Sequence, residues 1–462
     1  MVFSSVTFLC LFLPVFLILY FLSRNTTYRN IVLVAFSLLF YAWGEPVWVL
    51  ALIASGLTDY LCGIAIDRRR EGAGRKIALA ASLMVNLGLL STFKYSGFII
   101  ENLNSLLHTN FAVPGFSLPL GISFYTFQTL SYTIDMYRGK IKVQKNFLSF
   151  MCYVTMFPQL VAGPIVRYSS VESSLTVRNI TAGRFGRGIT RFACGLAKKA
   201  LLANPAGAAA AMLLADTARI STASAWLGIV FYAFQIYFDF SGYSDMAIGL
   251  GGMLGFDFPE NFNYPYEAVS VTDFWRRWHI SLSSFFRDYV YIPLGGNRRM
   301  QIRNVAVVWL LTGFWHGASW NFILWGAYFG ALLMFEKFSL KGVLKSIPVM
   351  FARAYTIIAI LVGWGLFYFT DLTEFTVFFR ALFFTGAPLT GFLPESVLIS
   401  HIWLLVALAL ASTSLPKKAY GFLFEVFPKI RFSEPVFTGA CIFTSFLMLL
   451  GQTYNPFLYF RF

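Results

Sequence analysis

Long apolar runs alternate with short polar loops from one end of the chain to the other. Candidate spanning runs fall near 3–22, 30–45, 47–66, 77–99, 118–137, 200–215, 224–254, 304–336, 354–371, 399–413 and 435–453. Two further stretches, 146–165 and 373–388, are apolar but less clearly bounded. The first contains Phe157-Pro-Gln and Ala162-Gly-Pro, which interrupt a helix. It is expected to be a broken or re-entrant element, a form tolerated at membrane depth only where protein buries it or it lines a cavity. The alternative is an ordinary span flanked by one loop assigned to the wrong side. The longest polar stretch, 255–303, carries Arg276, Arg277, Arg287, Arg298, Arg299 and Arg303 interleaved with aromatic side chains. That mixture suits the membrane interface, with rings at headgroup depth and arginines on water or anionic groups.

The polar loops carry a directional signal. Residues 23–29 hold Arg24 and Arg29, 44–47 hold no base, 67–76 are strongly basic, 101–117 hold none, and 138–145 hold Arg138, Lys140, Lys142 and Lys145. This alternation places the basic loops in the cytoplasm and the N-terminus outside. Residues 166–199 are basic again, so the alternation breaks across 146–165, which is why that segment reads as re-entrant. The first run has no basic leader and no small-residue cleavage site, so it reads as a retained span and not as a signal peptide.

Composition supports a membrane class. Of 462 residues, 58% are hydrophobic and only 12% charged, against about 25% charged in soluble proteins. The net charge of +15 would raise nucleic acid as a partner in a soluble chain. Here the bases lie in loops, so the lipid bilayer is the partner they indicate and nucleic acid is not. The five cysteines are scattered, without metal-binding spacing, and read as inert thiols. No repeat or soluble segment appears, so the expectation is one all-α, polytopic integral-membrane domain over 1–462.

Candidate chemistry is sparse. His316 is the one side chain of 305–335 that ionises near neutral pH. An ionisable group in such a run is costly and marks a functional site by default; the structural alternative is a histidine bonded to a neighbouring helix. Neutral imidazole can accept a hydroxyl proton near neutral pH. His279 stands in Asp273-Phe-Trp-Arg-Arg-Trp-His279, which alone also fits an interfacial anchor. Arg276 and Arg277 can attract an anionic acyl donor. Asp288 can orient a histidine or pair with an arginine. Asp239 and Asp245, inside a predicted span, either form ion pairs with arginines of the basic segment or tune a histidine. No nucleophile elbow, phosphate loop or His-Glu-x-x-His motif occurs, which points away from a serine hydrolase, ATP-driven transport or a metal site.

Several ordered strings, taken together, resemble the membrane-bound O-acyltransferase family, in particular its bacterial alginate O-acetyltransferase branch. They are Met1-Val-Phe-Ser-Ser, Pro119-Leu-Gly-Ile-Ser-Phe-Tyr-Thr-Phe-Gln128, Phe157-Pro-Gln-Leu-Val-Ala-Gly-Pro164, Tyr237-Phe-Asp-Phe-Ser-Gly-Tyr-Ser-Asp245, Glu260-Asn-Phe-Asn-Tyr-Pro265, Phe274-Trp-Arg-Arg-Trp-His-Ile-Ser-Leu-Ser283, Arg287-Asp-Tyr-Val-Tyr-Ile-Pro-Leu-Gly-Gly-Asn297, Trp315-His-Gly317 and Pro456-Phe-Leu-Tyr-Phe460. The resemblance runs nearly end to end. It implies that His316 is the catalytic histidine and His279 the second functional one. Trp275, Arg276, Trp278, Arg287, Asp288, Asp239 and Trp315 are then expected to line a substrate funnel or support the histidines. It further implies roughly eleven spanning helices plus re-entrant pieces around a central funnel, in a bacterial cytoplasmic membrane. No tightly bound cofactor is implied; the donor would be acetyl-CoA or another acyl thioester, and the partner a periplasmic or extracellular acetyltransferase.

The reading that follows is O-acetylation of an extracytoplasmic polysaccharide of alginate, cellulose or peptidoglycan type. One alternative is transfer of another acyl group such as D-alanine; the teichoic acid D-alanyl transfer protein resembles this chain more distantly. A proton-coupled transporter is the alternative from another class, and it would ordinarily show internal repeats. About 20 Å of helical rise separates His316 from Arg303, which would place it deep in a single crossing.

Overall fold

A computed structural model describes residues 1–69, 71–340, 342–383, 386–427, 433–451 and 457–458. Arg70 of the basic loop, and Pro456, Tyr459 and Phe460 of the last quoted string, lie outside the described residues. All regular structure among the described residues is helical: α1 (Leu13–Phe21), α2 (Thr26–Ala42), α3 (Val49–Arg68), α4 (Ala73–Leu90), α5 (Ser96–Leu107), α6 (Ile122–Tyr137), α7 (Phe147–Thr155), α8 (Phe157–Leu160), α9 (Tyr168–Thr176), α10 (Ala182–Ala197) and α11 (Asn204–Leu214). The order continues with α12 (Thr222–Leu254), α13 (Val271–Arg277), α14 (Ile280–Phe286), α15 (Gln301–His316), α16 (Trp320–Phe338), α17 (Val343–Ser346), α18 (Val349–Tyr368), α19 (Leu372–Leu382), α20 (Phe392–Ala411), α21 (Leu415–Val426) and α22 (Glu434–Leu450).

Among the described residues, five helical segments are long and apolar enough to cross a membrane: Val49–Arg68, Ala73–Leu107, Thr222–Leu254, Val349–Tyr368 and Phe392–Ala411. Phe8–Phe21, Thr26–Ala42 and Glu434–Leu450 are shorter apolar helices. The chain is thus a multi-pass membrane protein. It folds as two compact units, one of Met1–Phe192 with Tyr243–Pro259, the other of Ala193–Gly242 with Glu260–Leu458.

In the first unit, α3, α4 and α6 meet around a buried polar knot. The Asp59 carboxylate accepts from Ser82 Oγ at 2.5 Å and from Asn86 Nδ2 at 2.9 and 3.0 Å. Hydrogen bonding of this kind offsets the cost of a polar group removed from water. The 146–165 segment is broken, as its prolines predict. α7 stops at Thr155, Met156 leaves helical geometry (ψ 109°), and the single turn α8 follows. The break is buried in protein: Phe157 N–H donates to Ser37 Oγ of α2 at 3.1 Å, and Gln159 Nε2 donates to the Tyr153 carbonyl at 2.5 Å.

The second unit departs from expectation in one place. The 304–336 run is not one crossing. α15 ends at His316, Gly317 is extended (φ −168°), and α16 starts at Trp320. The two helices fold back as a hairpin. A Cβ on Gly313 would collide with the Phe322 carbonyl, and one on Gly326 with the Trp309 carbonyl. Only glycine lets the backbones approach this closely, and that contact holds the antiparallel register. His316 therefore sits at the end of a helix beside a turn, not midway along a span. In 255–303, Trp275, Trp278, Phe285 and Phe286 are buried within the protein, whereas Arg276 and Arg287 are exposed.

Candidate active site

His316, 7% exposed, is walled by aromatic rings. Trp315 lies 4.8 Å away between centroids, Trp325 of α16 at 4.9 Å and Phe367 of α18 at 5.2 Å, each edge-on. The sequence produces this arrangement locally. The hairpin crossing at Gly313 and Gly326 brings Trp325 against the last turn of α15, and α18 packs on α16. Such walls exclude water and so strengthen any charge interaction formed between them.

His279 is held differently. It lies between α13 and α14 with φ 44° and ψ 55°, a left-handed backbone that costs a non-glycine residue about 1–3 kcal/mol. Its Nδ1 is 3.1 Å from Asn261 Oδ1. The same Oδ1 accepts from Ser281 Oγ at 2.8 Å and from Ser281 N–H at 3.2 Å, and Ile280 N–H donates to the Asn261 carbonyl at 3.0 Å. A backbone N–H can only donate, so the Asn261 atom at this junction is the oxygen. Nδ1 must therefore carry the proton, which leaves the basic lone pair on Nε2. Burial pushes the imidazole down to about 3, so it is neutral at physiological pH.

The indole of Trp315 links the two histidines, 6.0 Å from His279 and 4.8 Å from His316. Phe240 of α12 closes on His279 edge-on at 4.6 Å. Trp275 packs against Trp309 (4.9 Å), Phe329 (4.8 Å) and Trp325 (5.4 Å), and so belongs to the aromatic cluster around His316. Trp278 stacks on Phe274 at 5.5 Å and meets Trp364 at 4.9 Å.

The predicted charged residues go elsewhere. Asp288 pairs with Arg287 at 2.7 Å, the alternative left open by the sequence, and the Arg287 side chain is 61% exposed. Asp239 pairs with Lys199 at 2.5 Å and accepts from Leu458 N–H at 2.6 Å. Asp245 pairs with Arg191 at 2.6 Å within the other unit. Both aspartates thus form ion pairs, one of the two alternatives the sequence offered, with cations supplied by α10 and by the helical residues that follow it. Among the described residues no three His, Cys, Asp or Glu side chains group as metal ligands.

Three residues escaped the sequence reading. Asn261 stands in the Glu260-Asn-Phe-Asn-Tyr-Pro string, and that string was its one signal. Lys199 closes a basic loop that was read only for topology. Glu336, one residue past the apolar run, is 4% exposed. It accepts from Val271 N–H (2.6 Å), Thr272 N–H (2.8 Å) and Thr272 Oγ1 (2.6 Å). It thereby ties α16 to the start of α13, the helix that leads into Trp278 and His279.

The model of the membrane-bound O-acyltransferase family matches residues 140–378, which include both histidines. A probable alginate O-acetylase of Azotobacter vinelandii is 38% identical over the whole of both chains. One from Pseudomonas aeruginosa is 40% identical over 87% of this chain and 80% of its own. A peptidoglycan O-acetyltransferase of Helicobacter pylori is 36% identical over 72% of this chain and 70% of its own. The chain belongs to the membrane-bound O-acyltransferase family and is an enzyme of the O-acyltransferase class.

Proposed function

We propose that this protein moves acetyl groups from a cytoplasmic thioester to the hydroxyls of an extracytoplasmic polysaccharide, with His316 as general base. The observation that carries the reading is a histidine shut in by Trp315, Trp325 and Phe367 and joined through Trp315 to a second, neutral histidine. The alginate and peptidoglycan O-acetyltransferases among its relatives support acetyl as the group and a cell-surface polymer as its destination. His316 takes the proton of the acceptor hydroxyl as its oxygen attacks the thioester carbonyl. A C–O bond forms, the C–S bond breaks, and the proton passes to the departing thiolate. His279 supports the site through Trp315, its orientation fixed by Asn261.

The basic loops face the cytoplasm in this reading, the N-terminus lies outside the bacterial cytoplasmic membrane, and the crossings surround a central funnel. Exposed Arg276 draws in the anionic donor, acetyl-CoA or another acyl thioester. A periplasmic acetyltransferase receives the group when it is not handed directly to polymer. The test is transfer of labelled acetate from acetyl-CoA by purified protein in proteoliposomes, with and without acceptor polysaccharide. His316→Ala is expected to lose about 100- to 10,000-fold in rate. Undiminished transfer by that variant would remove His316 from the mechanism.

A further inference from the structure

Buried indole N–H groups ordinarily find an acceptor. In this protein Trp364 Nε1 reaches Tyr266 Oη at 3.3 Å, Trp226 Nε1 the Leu382 carbonyl at 2.9 Å, and Trp48 Nε1 Ser117 Oγ at 3.0 Å. Trp275 and Trp325 differ. Both are buried, at 9% and 1% exposure, and the Nε1 of each has no acceptor among the described residues. They are also neighbours. Their rings meet edge-on at 5.4 Å, and Trp325 meets His316 edge-on at 4.9 Å. A polar hydrogen withdrawn from water without a partner destabilises the fold. Two such donors stand side by side, in the cluster that encloses the one histidine of α15, where phenylalanine would fill comparable space without that penalty.

We infer that Trp325 and Trp275 donate their indole N–H groups to the carbonyl oxygen of the acyl group during transfer. This rests on the reading of His316 as the base. When the acceptor oxygen adds to the carbonyl carbon, the C=O electron pair moves to oxygen. That oxygen then becomes the strongest acceptor in the site. Two neutral donors fixed by ring packing need no reorganisation to meet it, and their burial among rings keeps the interaction strong. On collapse the C=O bond re-forms and the thiolate leaves with the proton held by His316. Neutral N–H groups favour the more negative oxygen, which is the condition for raising kcat rather than lowering KM.

The experiment removes the N–H and keeps the shape. Position 325, and separately 275, receives 3-benzothienylalanine in place of tryptophan by codon suppression, so that sulfur replaces the N–H. Trp325→Phe and Trp275→Phe are made alongside, with Trp226→Phe as a remote control. Purified proteins are checked for monodispersity and assayed for kcat and KM with acetyl-CoA. The expected result is a fall in kcat of about 10- to 1,000-fold at position 325, a smaller fall at 275, and KM within threefold of the parent. Unchanged kcat in a monodisperse benzothienyl protein, or a change confined to KM, overturns the inference. If those variants stay fully active while His316→Ala is dead, only this inference fails. If the parent protein transfers no acetyl group, it is the proposed function that fails.

Discussion

His279 occupies a backbone conformation that few side chains tolerate, and the price is met by one neighbour: Asn261 accepts its Nδ1 proton and two donors of Ser281. The same burial that fixes the tautomer makes protein stability depend on pH. The folded imidazole has been pushed from the usual 6.5 to about 3, so below pH 6.5 the unfolded chain takes up a proton that the folded chain refuses. Stability from this residue is complete above that pH and is lost as pH falls towards 3, by up to about 1.4 kcal/mol per unit. Thermal melts in detergent between pH 7.5 and 5 are expected to show a falling midpoint, with a shallower slope in His279→Gln. An equal slope in both would assign the effect to other groups. His316 was legible because a lone ionisable side chain in apolar sequence is energetically conspicuous. Asn261 was not, because a polar residue in a polar stretch looks ordinary until the fold brings it to the imidazole. Trp325 was hidden for the opposite reason. One more ring in a chain that is 19% aromatic carries no signal until its N–H is found without an acceptor.

Breaks in the helices show the same unevenness. The interruption between α7 and α8 was readable because proline lacks the N–H a helix needs. The interruption between α15 and α16 was not, since Gly317-Ala-Ser319 contains no proline and apolar sequence continues on both sides. Its cause is tertiary: glycines facing each other at 313 and 326 favour a close antiparallel crossing. The segment from α13 to α14 is likewise held from outside, by Glu336 of α16 on the first turn of α13. Glu336→Ala would leave two backbone donors and a hydroxyl without their acceptor, at about 1–3 kcal/mol for each buried group. Its melting midpoint is expected to fall by several degrees, with acetyl transfer reduced because α13 leads into Trp278 and His279. Glu336→Gln, which keeps one acceptor oxygen, is expected to recover part of both losses. A parent-like melt for the alanine variant would show that the clamp contributes little.

At the scale of the whole molecule, the class was clear from composition and from the spacing of basic loops, because the cost of charge in lipid constrains every part of such a chain. The pairing of buried charges was not, because complementary residues lie far apart in sequence. Lys199 and Asp239 are 3% and 4% exposed and face each other at 2.5 Å. Removing one member of such a pair strands the other, at about 3–5 kcal/mol. Lys199→Met is expected to unfold at markedly lower temperature, and Lys199→Met with Asp239→Asn to regain much of the loss. If the double variant melts no higher than the single one, the pair is not the source of the stability.

The Asp239 carboxylate also accepts the backbone N–H of Leu458, 219 positions further along. During synthesis this has a consequence for timing. Lys199 is already made when Asp239 emerges, so charge can be neutralised as the helices enter the bilayer. The second oxygen must wait for a further 219 residues. Closure of this junction is therefore a late step of biogenesis, and a nascent chain stalled before residue 458 would hold its helices with that acceptor still open to exchange.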